Sequence, residues 1–351
     1  MESRLTNVIP HPVPATPSLD LSVVIVTYRS RHEIGDCLRS LFGGGLNELQ
    51  AEVIVVDNAS SDGTADYVCA EFPAVGLFAE NENGGFSRAN NIGIQASSGR
   101  HVLLLNPDTI IGPNVLRRCV DYLDAQPASV AAMTCRVEGT DGKLQTTCSR
   151  RLITPWSEGC RALLLDRVFS RSDLFNREAE PRWNRENERD VECLLGAFML
   201  IRRDALEKIG GLDEQFFLMY EDVDWCKRAG NAGFVLKFWP GERISHLGGQ
   251  SWKYEKVATY ANSHVSALQY FRKHHPRAVK GVYRVSLLGM ALKVGLLRLN
   301  LLRKPGDTYT REHLDMARAA TASLRAGHLC LPTQTTNDTA TANPTSAVSQ
   351  P

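Results

Sequence analysis

The stretch that most constrains the fold is His101 to Asp108, HVLLLNPD. Its run of Val and Leu reads as a buried strand. Pro107 lacks an amide proton and cannot donate to a sheet ladder, so the strand must end close to Asn106. A carboxylate, Asp108, then stands just past the strand's carboxyl end. Open α/β sheets bind ligands in the crevice outside those ends. Asp108 is therefore placed where a metal-bound phosphate can sit.

The neighbouring sequence repeats the pattern. Leu21 to Thr27 (LSVVIVT) and Glu52 to Val56 (EVIVV) are β-branched runs, the second ending in Asp57, and Val75 to Ala79 reads as a third strand. Ile34, Leu38 and Leu41 share one helical face, closed by Gly43 to Gly45. A second helix follows the turn NASSDGT, with its cap expected near Ser60 to Asp62, and a third runs from Phe86 to Ser97 and carries Arg88. This alternation predicts an α/β fold, a mostly parallel central sheet with helices on both faces. Further on, a helix starts at Gly112-Pro113, Val130 to Val137 is a strand, and residues 138–190 read as loop with short helices. Cys193 to Ile201 is apolar, Asp204 to Ile209 is a short helix, and a helix that begins around Glu221 ends near Gly230. Phe234 to Trp239 is a last strand, and Gly241 to Ser251 reads as a loop.

Composition narrows the class. A net charge of +1 over 351 residues gives no global attraction to nucleic acid. Nine cysteines without a CxxC offer neither a zinc knuckle nor an even disulfide framework, which points to reduced cysteines in a cytoplasmic protein. The N-terminal segment has no apolar core of a secretion signal. Charge is nonetheless uneven: Lys256 to Gly306 holds ten Lys or Arg and no Asp or Glu. Within it, residues 278–303 are apolar but interrupted by Lys280, Arg284, Lys293, Arg298 and Arg303, and the longest uncharged stretch, Val285 to Leu292, is too short to span a bilayer. Cations beside a broad Leu/Val surface suit a helix lying in an anionic membrane interface. A terminal helix packed on the domain, with solvated cations, is the other reading.

Candidate chemistry falls at strand ends and loops: Asp57, Asp108, Asp222 and His246. One such Asp is commonly just a turn former; four across one sheet suggest a site. Hard divalent cations prefer carboxylate oxygen and leave positions open for phosphate, which suits Asp108, with His246 as a second ligand. Gly248-Gly249 after His246 permits close backbone approach to a phosphate. Glu221-Asp222 either caps a helix or holds a general base. The first strand is followed by Tyr28-Arg29-Ser30 with no GxGxxG, and no GxxxxGK[ST] occurs, so neither a dinucleotide fingerprint nor a P-loop is present.

The motifs VVIVTYRS, VIVVDNASSDGT, NENGGFSRANNIGI, LLLNPD, GAFMLIRR, GGLDEQFFLMYEDVDWCKR and HLGG, in this order between Leu21 and Ser251, resemble the family 2 glycosyltransferases, with wording close to the rhamnosyltransferase-like branch. The resemblance implies a GT-A fold over residues 20–255, with a nucleotide-binding half (20–110) and an acceptor half (111–255). Around it lie a flexible arm (1–19), a basic amphipathic helical region (256–331) that associates with membrane, and a disordered tail (332–351). It also implies roles. Thr27, Tyr28 and Asp57 line the base and ribose; Arg88, Asn106, Gly248 and Gly249 complete the donor site. Asp108 and His246 hold Mg²⁺ or Mn²⁺, and Asp222 is the catalytic base with Glu221 beside it. Asn106 replaces the first acid of the family's DXD motif, which shifts weight onto His246.

The implied reaction is inverting transfer of a sugar from a nucleotide-diphosphate donor, best matched by L-rhamnose from dTDP-rhamnose. The acceptor would be a glycan or lipid-linked sugar at the inner face of the plasma membrane. Transfer of another hexose from a UDP- or GDP-sugar, a nucleotidyltransferase, and a non-catalytic sugar-nucleotide-binding paralogue are the alternatives.

Overall fold

The computed structural model describes residues 19–248 and 256–327. The expected arm, the expected tail and Gly249 lie outside the described residues, Leu19 excepted.

The first half of the sheet is built as the β-branched runs require. Strands β1 (Leu21–Thr27), β2 (Ala51–Asp57), β3 (Gly76–Ala79) and β4 (His101–Leu105) pair in parallel in the order β3-β2-β1-β4. Helices α1 (Ile34–Ser40), α2 (Thr64–Glu71) and α3 (Phe86–Ala96) connect them. Alternate residues of β1 enter opposite cores: Leu21, Val23 and Ile25 pack on one side, Val24 and Val26 on the other. A strand covered on both faces reads as an unbroken apolar run, and that is why HVLLL and LSVVIVT carry no alternation.

The second half folds back across this sheet. β5 (Thr109–Ile110), α4 (Val115–Ala125), β6 (Val130–Glu138) and β7 (Ser149–Arg150) are followed by α5 (Pro155–Ala162) and α6 (Leu165–Val168). Then come β8 (Arg189–Val191), β9 (Cys193–Leu194), β10 (Phe198–Arg202), α7 (Arg203–Ile209), α8 (Glu221–Asn231) and β11 (Val235–His246). β10 inserts antiparallel between β4 and β6, and β11 runs parallel to β6.

Two local readings are corrected. Gly241 to His246 is strand, not loop: the ladder with β6 slips between Phe238 and Arg243, around Pro240-Gly241, and resumes through Ser245. Proline removes a ladder donor, but at a bulge it is tolerated. The helix expected to start at Gly112-Pro113 begins at Val115, with Asn114 at its cap position.

Three helices close the described chain: α9 (Lys256–His274), α10 (Val279–Arg303) and α11 (Thr308–Ala326). α11 packs on α9 and α10, and α10 packs on α5. By length and composition α10 is apolar enough to cross a bilayer, although no uncharged run of that length exists. Its charges are dispersed, so the helix as a whole passes a test that its longest uncharged stretch fails.

Candidate active site

The cleft lies where the sheet's carboxyl ends meet the start of α8. It measures about 540 Å³ and is lined by segments far apart in sequence. Tyr28 and Asn58 follow β1 and β2; Asn83, Gly85 and Phe86 open α3; Asn106, Pro107 and Asp108 link β4 to β5. Gln145, Thr147 and Arg150 come from the segment after β6, Phe217 to Met219 with Glu221 and Asp222 from the start of α8, His246 and Gly248 from the end of β11. Thr259 and Asn262 of α9 close the far side.

Asp108 and His246 come together although 138 positions separate them. β5 pairs with the end of β11 so that Thr109 faces His246, and the amide of Leu247 donates to the Asp108 carbonyl (2.9 Å). His246 Nε2 then lies 3.2 Å from Asp108 Oδ1, with both side chains buried. Asn106 Nδ2 is 3.2 Å from the same nitrogen. One carboxylate and one imidazole suit a divalent cation that takes its remaining ligands from phosphate and water. Among the described residues no cluster of three His, Cys, Asp or Glu is present to cage a metal by itself. The donor set therefore fits an open, substrate-completed site.

The acid pair has a different setting. Phe217 to Tyr220 approach α8 through left-handed backbone at Met219 (φ 70°) and Tyr220 (φ 75°). Such residues cost of order 1–3 kcal/mol each and persist only where surroundings hold them. Here they are held. Ser87 Oγ donates to the Phe216 carbonyl (2.6 Å), the Phe86 amide to Phe217 (2.7 Å) and Ser266 Oγ to Leu218 (3.0 Å). Gly85 (φ 91°) makes the approach possible: a Cβ there would sit 2.6 Å from the Phe217 carbonyl oxygen.

Asp222 is anchored by amides of Val223 (2.7 Å) and Gly196 (3.3 Å), with Arg150 3.8 Å away. Glu221 beside it is buried, and its Oε2 has no partner among the described residues. Burial first, and the neighbouring Asp222 charge second, push its carboxyl up to about 8. Glu221 thus keeps its proton at neutral pH, while Asp222 is held by amide donors.

Other expected site residues lie elsewhere. Thr27 and Asp57 are buried beneath the cleft: Thr27 Oγ1 donates to Asp57 Oδ1 (2.9 Å) and the Ser60 amide to Oδ2 (2.9 Å). The residue that emerges from β2 into the cleft is Asn58, whose amide donates to Asn83 Oδ1 (2.8 Å) and accepts from Gly84 N (3.0 Å). Arg88 pairs with Glu82 (3.2 Å) and Glu80 (3.4 Å) and stays outside the cleft lining. Phe217 lines the cleft, whereas Trp225 is fully buried with its indole N–H on the Gly210 carbonyl (3.0 Å). Asn58 could have been suspected from its place after a strand end. Gln145 and Arg150 lie in a stretch without periodicity and gave no signal.

A family model described as Glycosyl transferase family 2 matches residues 22–210. The N-acetylglucosaminyl-diphospho-decaprenol L-rhamnosyltransferase of Mycobacterium tuberculosis is 27% identical over 296 residues, 81% of this chain and 94% of that protein. The rhamnosyltransferase WbbL of Escherichia coli is 22% identical over 231 residues, 64% of this chain and 82% of that protein. Among solved structures, the mannosyltransferase PcManGT of Pyrobaculum calidifontis, in complex with GDP-Man and Mn²⁺, superposes with a TM-score of 0.49 at 19% identity, covering 90% of this chain and 91% of that one.

Proposed function

The chain belongs to glycosyl transferase family 2 and is a glycosyltransferase of the GT-A fold that uses a nucleotide sugar; on that premise we propose that it transfers L-rhamnose from dTDP-rhamnose, with inversion, to a hydroxyl of a polyprenyl-diphosphate-linked sugar in surface-polysaccharide assembly. The observation that carries the proposal is one cleft lined both by the Asp108–His246 pair and by Asp222.

Asp108 and His246 would hold Mg²⁺ or Mn²⁺, which when bound supplies Lewis-acid neutralisation of the departing nucleoside diphosphate. Tyr28, Asn58 and Asn83 offer polar and ring surface to the donor from the β1–β2 side. Asp222 takes the proton of the acceptor hydroxyl as that oxygen attacks the anomeric carbon. Glu221 keeps its own proton at neutral pH, so it is a poor base, and the base role goes to Asp222. A single displacement leaves no sugar on the enzyme and inverts the anomeric centre.

The rhamnosyl and lipid-linked specificity is supported by the activity for which the mycobacterial relative is named. A membrane-side acceptor is supported by α10. Leu288, Leu292, Leu296, Leu299 and Leu302 are exposed along it, and Lys280, Arg284, Arg298 and Arg303 are exposed beside them. The enzyme then works on the cytoplasmic face of an anionic membrane. The test is a donor panel of dTDP-rhamnose, UDP-hexoses and GDP-hexoses with Mn²⁺ or Mg²⁺, scored for donor cleavage and for transfer to a polyprenyl-diphosphate N-acetylhexosamine. Preferential cleavage and transfer from dTDP-rhamnose is expected; preference for a UDP- or GDP-hexose overturns the donor assignment.

A further inference from the structure

Gln145 makes two contacts with one residue. Its Nε2 lies 2.7 Å from the His246 carbonyl oxygen and its Oε1 lies 2.8 Å from His246 Nδ1. A backbone carbonyl only accepts, so the amide NH₂ must face it, and the amide oxygen must then face the imidazole. An oxygen there only accepts, so Nδ1 must carry the proton. In a neutral ring Nε2 then carries no proton; it lies 3.2 Å from Asn106 Nδ2, which can donate to it, and 3.2 Å from Asp108 Oδ1. The backbone of Gln145 is itself fixed: its amide donates to the Val137 carbonyl (2.8 Å) and its carbonyl accepts from Cys148 N (3.0 Å).

We propose that Gln145 is a positioning residue that locks His246 as its Nδ1–H tautomer, with an unprotonated Nε2 turned to Asp108 and Asn106 and able to ligate a divalent cation in place of the Asn106 contact. The tautomer stands on geometry alone; only its consequence for metal binding rests on the reading of Asp108 and His246 as ligands. Partners that hold a ligating histidine through its other nitrogen typically affect metal affinity by about 10–100-fold.

The test uses the full chain with ¹⁵N-labelled histidine, at a pH where imidazole is neutral, and Mn²⁺ alone as the metal probe. NMR of the wild type is expected to show His246 as the Nδ1–H form. Gln145→Met removes the acceptor and is expected to release the ring toward the Nε2–H form and weaken Mn²⁺ binding, read by electron paramagnetic resonance, about 10–100-fold. Gln145→Glu keeps an oxygen on Nδ1 and is expected to retain the Nδ1–H form. Thermal melting verifies that each variant is folded. An Nε2–H ring in the wild type, or a folded Gln145→Met protein with the wild-type tautomer and Mn²⁺ affinity, overturns the proposal. Unchanged Mn²⁺ affinity in His246→Ala would instead overturn the metal reading, with the tautomer result still decided by NMR.

Discussion

At the scale of single residues, Glu221 and Asp222 stand in different settings within one acidic dipeptide. Asp222 has both oxygens on backbone amides, while Glu221 has an unpartnered oxygen in a buried setting. Their substitutions should therefore diverge. Asp222→Asn removes the base and should lower kcat by about 10²–10⁴-fold, with nucleotide affinity retained. Glu221→Gln replaces a protonated acid by a neutral amide of the same shape and should keep most of the transfer rate at pH 7. Stability gives an independent check. The folded carboxyl of Glu221 sits at about 8, above its ordinary 4.5, so the native state holds a proton that the unfolded chain has released. Native stability from this group falls as pH rises from 4.5 to 8. Glu221→Gln lacks that loss and should gain stability relative to wild type across the window, as read by urea denaturation. A rate loss matching Asp222→Asn would end the division of roles.

At the scale of elements, α8 is tied to α9 through Asp224, which points away from the cleft. Asp224 is fully buried, with Lys273 Nζ and His274 Nε2 each 2.7 Å from Oδ1 and Arg228 Nε 2.8 Å from Oδ2. Burial alone would raise its carboxyl, but hydrogen bonds from His274, Lys273 and Arg228 overcome it and hold the group at about 2. A folded value below the ordinary 3.8 means the stabilisation is present above that pH and lost as pH falls through about 2. Asp224→Asn strands the cations and should cost about 3 kcal/mol at pH 7, a gap that closes between pH 4 and pH 2. A gap constant down to pH 2 would remove the ion pairs from the account.

The elements also show what the sequence made readable. HVLLL and LSVVIVT were legible because burial on both faces leaves an unbroken apolar run, and Glu221-Asp222 because the acids open a helix. The end of β11 was not: Gly241 to Ser251 read as a loop, and only pairing with β6 and β5 carries the strand on to His246. Gln145 and Arg150 were invisible for the same reason. Their positions depend on contacts with residues 101 and 72 places away, and no local period encodes those.

At the scale of the whole molecule, the question is what the leucine face of α10 meets. The helix is fastened on its other side: Val282, Ser286, Gly289 and Met290 are buried, and a Cβ at Gly289 would lie 2.2 Å from the Ala162 carbonyl oxygen of α5. A helix held this closely along one side fits a position in the plane of an interface better than a crossing of it. Exposed leucines would enter the acyl boundary while Arg284, Arg298, Arg303 and Lys304, none of them in an ion pair among the described residues, meet anionic headgroups. Each such cation contributes about 1 kcal/mol near a charged surface and is screened by salt. The full chain should therefore float with phosphatidylglycerol vesicles at low salt, bind neutral phosphatidylcholine vesicles much less, and be released by high salt or alkaline carbonate. Leu292→Ser/Leu299→Ser and Arg298→Glu/Arg303→Glu double variants should each weaken flotation about tenfold or more while leaving cleavage of the soluble donor intact, because neither face lines the cleft. Resistance to carbonate would mean that α10 spans the bilayer; unchanged flotation in both variants would mean that the leucine face has another occupant.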